Sequence, residues 1–241
     1  IDMPQSDKIE EFAYAYYGQG YIYYKKKNYA MGATYFKNFT EKVAKDRYEE
    51  SFVHDAYLRM GDCYLMTRNL EQSVRAYAYV SGKKGRDADY ALYQSGLIYG
   101  LLERSEEKIT TLKRLLDAYP RSRYTLDAYN EVASEYMLLK EFEQAEKYYT
   151  LILEKFPGTQ LTRKAYSTLG RIYYNQKKIE KAVDAYTKLY DDFKGTQDAQ
   201  SAADMVKTIY TEEGLAKNYV QWASTRGGIS SSGEDSVMYE T

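Results

Sequence analysis

The side chains able to do chemistry are few. His54 stands directly before Asp55, the pairing from which a general base is built, and Cys63 lies between Asp62 and Tyr64, where a thiol nucleophile would need a base beside it. They are the only histidine and the only cysteine in 241 residues, so no second imidazole or thiolate completes a metal set and no internal disulfide can form. His54 reads as a structural histidine at a helix start and Cys63 as a small, semi-buried packing residue. Gly227-Gly228 and Ser231–Gly233 lack the lysine and the preceding strand of a phosphate-binding loop, and read as linkers. The carboxylate pairs Glu49-Glu50 and Asp191-Asp192 fall at turns, where acids are solvated. Asn38-Phe39-Thr40 spells a glycosylation acceptor but falls inside a predicted helix, and is taken as a chance match. The chain is therefore expected to be no enzyme and to hold no cofactor or metal.

What remains is a pattern of elements. Tyr23, Tyr64, Tyr99, Tyr136 and Tyr173 each follow by three residues a small residue, Gly20, Gly61, Gly96, Ala133 or Gly170, and those small residues are spaced by 41, 35, 37 and 37. Periods in this window mark one supersecondary unit stacked on its own copies. With the small residue at position 8 of each unit, position 3 is alanine throughout: Ala15, Ala56, Ala91, Ala128 and Ala165. Position 4 reads Tyr16, Tyr57, Leu92, Tyr129 and Tyr166, on the same helix face as positions 8 and 11. After a polar turn, position 20 reads Gly32, Ser73, Lys108, Ala145 and Ala182, and position 24 reads Phe36, Tyr77, Leu112, Tyr149 and Tyr186, which defines a second helix. A glycine inside a helix costs about 1 kcal/mol, so its recurrence at one position implies that another backbone passes close by.

These positions resemble the tetratricopeptide repeat, with its aromatic at 4, Gly at 8, Tyr at 11, Ala at 20, aromatic at 24 and Pro at 32, here Pro120 and Pro157. The resemblance implies an all-α fold, a right-handed superhelical solenoid of antiparallel helix pairs. The expected organisation is one array over residues 1–226, with repeats at about 13–46, 54–87, 89–122, 126–159 and 163–196 and a degenerate pair over 196–226. Residues 227–241 read as a flexible joint and the start of a further repeat, so flanking repeats are expected. Lys108 and Ser105 depart from the pattern, which predicts a splayed third pair. The 41-residue first period predicts a second helix extended through Glu41–Tyr48.

The same resemblance implies a concave groove lined by positions 2, 5, 9, 12 and 13 of the first helices. Carried over, these are Tyr14, Tyr17, Tyr21 and Tyr24, then Asp55, Leu58, Asp62 and Leu65, then Tyr90, Tyr93, Leu97 and Leu101. Asp127, Asn130, Ser134 and Met137 follow, then Lys164, Ser167, Arg171, Tyr174 and Asn175. The groove is expected to be aromatic at one end and basic at the other. The four tyrosines of the first helix have no packing duty within their unit; they either meet a partner or stack on a preceding repeat. The lysine and asparagine clamp by which some such domains hold chaperone tails is missing, since position 5 is Tyr17, Leu58, Tyr93, Asn130 and Ser167.

The expected function is a protein-interaction scaffold for a peptide or protein segment, with a glycan-binding module on the tyrosine faces as the alternative. Lys and Arg number 34 against 35 acidic residues, so no overall field draws in nucleic acid. No apolar run is long enough to span a membrane. The chain opens at Ile1 without a charged-then-apolar leader, which is compatible with a segment removed ahead of it. Leu115–Ser122 and Leu151–Thr159 resemble repeat ends of bacterial envelope tetratricopeptide proteins of outer-membrane assembly and cell division. That places the chain in the periplasm or at the outer membrane of a bacterium, with the cytoplasm as the alternative.

Overall fold

A computed structural model of the chain describes residues 5–42, 50–83 and 85–226, with side chains from residue 13 onward. Among the described residues there are twelve helices and no strand. They are α1 (Gln5–Lys25), α2 (Tyr29–Lys42), α3 (Glu50–Met66), α4 (Leu70–Gly82), α5 (Ala88–Leu101), α6 (Ser105–Ala118), α7 (Thr125–Leu138), α8 (Phe142–Lys155), α9 (Gln160–Asn175), α10 (Ile179–Asp192), α11 (Gln197–Glu212) and α12 (Ala216–Ser224). The all-α expectation holds, and each repeat read in the sequence is a helix pair. α2 ends at Lys42; the extension expected through Tyr48, like the joint at 227–241, lies outside the described residues.

Contacts divide the chain into two units, residues 1–128 and 129–241. In the first, α1 to α6 each pack on the next; in the second, α8 to α12 do the same.

The tyrosine of position 11 is followed by the same turn in each of the five units. Its carbonyl accepts the backbone N–H five residues on: Asn28 to Tyr23 at 2.9 Å, Asn69 to Tyr64 at 2.8 Å, Arg104 to Tyr99 at 2.9 Å, Glu141 to Tyr136 at 2.9 Å and Lys178 to Tyr173 at 2.8 Å. The residue before each donor, Lys27, Arg68, Glu103, Lys140 or Lys177, is left-handed, with φ between 58° and 61°. This six-to-one bond satisfies a carbonyl that the helix end leaves open. A sixth copy closes α11: Leu215 donates to the Tyr210 carbonyl at 2.7 Å and Gly214 has φ 70°. Tyr210 lies 37 residues after Tyr173, so the degenerate pair continues the period of its predecessors.

The glycines of position 8 make room for a side chain rather than for a passing backbone. A Cβ on Gly61 would stand 2.6 Å from the Tyr77 ring, one on Gly170 2.6 Å from Tyr186, one on Gly20 2.8 Å from Phe36 and one on Gly96 2.5 Å from Leu112. The residue at position 24 thus lies flat across the first helix, and each such buried side chain contributes about 2 kcal/mol. Where alanine gives way to Ser73, its hydroxyl donates to the Gly61 carbonyl at 2.8 Å. The third pair is not splayed, because Leu112 crosses Gly96 as closely as the rings do elsewhere. Lys108 is 8% exposed, and its stem runs past Gly100, whose missing Cβ would be 3.3 Å from Lys108 Cδ.

Candidate partner-binding face

α1, α3 and α5 place their inward positions side by side in the first unit, and a polar cluster forms where they meet. The Asp62 carboxylate is 7% exposed. It accepts the hydroxyls of Tyr77 at 2.7 Å, Tyr90 at 2.8 Å and Tyr24 at 3.3 Å, and pairs with Arg59 at 2.9 Å. Two helix turns earlier, Asp55 accepts Tyr17 at 2.8 Å and also Tyr21, and lies 3.4 Å from Arg59 Nε. Arg59 therefore joins two carboxylates spaced four residues before it and three after it.

The electrostatics follow from this enclosure. Burial and then the hydrogen bond to Asp55 raise the Tyr17 phenol well above its ordinary range, and burial and then the Asp62 charge do the same for Tyr77 and Tyr90. Burial works against the Arg59 charge, but the Tyr21 hydroxyl and both carboxylates outweigh it and hold the guanidinium protonated. These hydroxyls are donors to carboxylates, and none is poised as an acid.

The expected lining residues divide into two kinds. Tyr17 and Tyr21 are half-buried, their rings set edge-on against Phe36 at 6.0 and 5.3 Å, and Tyr17 meets Phe52 at 5.3 Å. They do have a packing duty, against Phe36 within their own repeat and, for Tyr17, against Phe52 of the following one. Leu58, 2% exposed within an apolar cluster with Tyr77 and Ile98, and Asp62 are mostly enclosed, though both border the hollow between α3 and α5. Tyr14 is 41% exposed beside Phe52, Tyr93 stacks on Tyr124 at 4.9 Å, and Leu65 and Leu97 are half-buried, while Leu101 is 57% exposed.

In the second unit, Asn130, Ser134 and Met137 are half-buried, and Ser167, Arg171 and Asn175 are exposed. Lys164, also exposed, donates to Asn130 Oδ1 at 2.9 Å and Ser134 Oγ at 3.3 Å. Tyr174 donates to Glu212 of α11 and carries Lys177 over its ring. Asp127, in the first turn of α7, is exposed.

Among the hollows that the described residues line, three open along first helices. One of about 580 Å³ lies between α3 and α5, lined by Tyr24, Arg59, Asp62, Tyr90, Arg121 and Tyr124. Another, of about 500 Å³, holds His54, Asp55, Arg59, Lys83 and Asp87. The third, also about 500 Å³, lies on α9 and α11 around Arg163, Lys164, Ser167, Arg171 and Asp198.

Sequence reasoning missed Arg59, Tyr77 and Tyr124 as parts of this face. The spacing Asp55-Arg59-Asp62 was the available signal for the first; the other two come from a second helix and a turn. The enzyme candidates are separated by their partners. His54 Nε2 is 2.7 Å from the Arg86 carbonyl, whereas Cys63 is fully buried, its thiol pushed up to about 12 by burial and then by the Asp62 charge. Among the described residues, no group of three or more His, Cys, Asp or Glu could hold a metal ion, and no helix is long and apolar enough to cross a membrane.

Models of the tetratricopeptide repeat match residues 90–122, 126–154 and 164–191, so the chain carries tetratricopeptide repeats. Solved structures share the fold. A crystal structure of MamA is 21% identical with a TM-score of 0.53, over 71% of this chain and 88% of that one. YrrB, described as a TPR protein with an unusual peptide-binding site, is 16% identical with a TM-score of 0.57, over 83% and 98%. A tetratricopeptide repeat protein of Parabacteroides merdae is 13% identical with a TM-score of 0.58, over 88% and 78%. No curated protein matches the sequence. Repeats of this kind suggest a protein-interaction scaffold.

Proposed function

We infer that the chain is a non-catalytic scaffold whose first-helix face receives a peptide or protein segment. The observation that carries this is that hollows within each unit, two in the first and one in the second, are lined by first helices and are of a size that takes several side chains. The glycan alternative needs exposed ring faces, and Tyr17 and Tyr21 have theirs against Phe36 and Phe52. We place the scaffold in a bacterial envelope complex, periplasmic or bound at the outer membrane, on the likeness of the repeat ends Leu115–Ser122 and Leu151–Thr159.

The test uses a peptide selected against the 241-residue chain. Ser167→Trp, which fills the hollow on α9 from an exposed position, should abolish or sharply weaken binding, whereas Lys147→Glu on the exposed part of α8 should not. Equal binding by both variants, or loss only with Lys147→Glu, refutes the face. Fractionation of the native cells tests the location; recovery from the cytosol alone contradicts it.

A further inference from the structure

The hollow on α9 differs from the other two in charge. The hollows of the first unit mix their cations with enclosed or neighbouring carboxylates, among them Asp55, Asp62 and Asp87. The hollow of the second unit is lined by three cations, Arg163, Lys164 and Arg171, against one acid, Asp198. That acid is taken by Arg163, 3.0 Å away. Lys164 bonds only to the neutral side chains of Asn130 and Ser134, and Arg171, exposed, has no hydrogen bond or ion pair among the described residues. Two positive charges thus stand uncompensated in a chain whose net charge is −1.

Resting on the scaffold reading above, we propose that this hollow selects an acidic segment of a partner protein, with Lys164 and Arg171 each holding one of its carboxylates. The two residues are seven apart on one helix, roughly 10.5 Å along its axis. Two acidic residues three apart in an extended, polyproline-like segment span roughly 9.3 Å on one side, and the two flexible side chains cover the difference. The guanidinium of Arg171 offers a carboxylate two parallel donors, and Lys164 offers its third proton beyond Asn130 and Ser134. Ser167, one turn from each, is small enough to let the segment lie against the helix.

The experiment is panning of a random twelve-residue phage library against the full chain, in parallel with K164E/R171E, whose fold is checked by circular dichroism. Wild type should enrich peptides with two Asp or Glu two to four positions apart. A synthetic peptide of that kind should bind K164E/R171E at least about tenfold more weakly, and its Gln counterpart should bind wild type more weakly by a similar factor. Raising the salt from low to physiological concentration should weaken the acidic peptide selectively. Enrichment of peptides without an acidic bias, or equal binding by the double variant, overturns the acidic-segment assignment and leaves the scaffold standing. No enrichment at all by wild type overturns both.

Discussion

Removing the Asp62 carboxylate should unfasten the first unit. Asp62→Ala takes the carboxylate acceptor from the Tyr77 hydroxyl, on a ring with 0% exposure, leaving only the Tyr90 hydroxyl beside it, strips the same partner from the half-buried Tyr90, and halves the anionic pairing of Arg59. An orphaned enclosed hydroxyl costs about 1–3 kcal/mol, and breaking one side of a buried charge cluster costs about 3–5 kcal/mol, so a loss of about 3–5 kcal/mol is expected. The effect of losing the Tyr77 hydroxyl should change sign between the two backgrounds. In the parent, Tyr77→Phe removes one hydrogen bond and should cost about 1 kcal/mol; in Asp62→Ala it removes an orphan and should restore about 1–2 kcal/mol. Urea unfolding of the four chains of this cycle, followed by far-ultraviolet circular dichroism, gives the coupling directly. A cost below about 1 kcal/mol for Asp62→Ala, or a destabilising Tyr77→Phe in both backgrounds, would show that the cluster does not hold these helices together.

Two glycines should respond in opposite directions. Gly61→Ala drives a Cβ into the enclosed Tyr77 ring and should destabilise by about 1–3 kcal/mol, while Gly18→Ala, with nothing within 4 Å, should stabilise by up to about 1 kcal/mol, both read by thermal melts. Lys140→Gly relieves a left-handed φ of 60° and should stabilise by a few tenths to about 1 kcal/mol in the same assay. Buried phenols keep their protons longer folded than unfolded. The stability they lend is fully present below about pH 10 and falls as pH rises beyond it, by up to about 1.4 kcal/mol per pH unit for an enclosed tyrosine such as Tyr77. Tyrosinate absorbance should therefore rise in two steps, the second coinciding with loss of helix; a single step near the ordinary phenol value contradicts the enclosure. Cys63 should react with a maleimide only as fast as the fold opens, and rapid labelling of the native chain would place the thiol at the surface.

The sequence made the helix pairs legible because their determinants recur at fixed offsets within one pair. Gly61 and Tyr77, or Gly170 and Tyr186, are sixteen residues apart and meet wherever the turn between them is short. What glycine was making room for was less legible, since a backbone and a ring lying across the helix demand the same missing Cβ. The sixth pair hid its register because Lys207 stands where glycine does in four earlier units; Tyr210 and Gly214 carried the period instead. The polar cluster was out of reach for a different reason. Tyr24 and Tyr90 reach Asp62 from 38 residues before it and 28 after it, and which groove positions face a partner and which face the next repeat depends on how closely helices stack. Leu58 illustrates this, being assigned to the lining by register and enclosed by its neighbours. Lys164 and Arg171, by contrast, are long cations at exposed positions of one helix face, and register alone located them.

The most direct measurement is a crystal structure of the chain bound to the strongest peptide selected against it. The segment should lie along the first helices, with an acidic side chain on Lys164 and another on Arg171. A peptide seated on the second helices instead, α8 or α10, would contradict the assignment of the binding face.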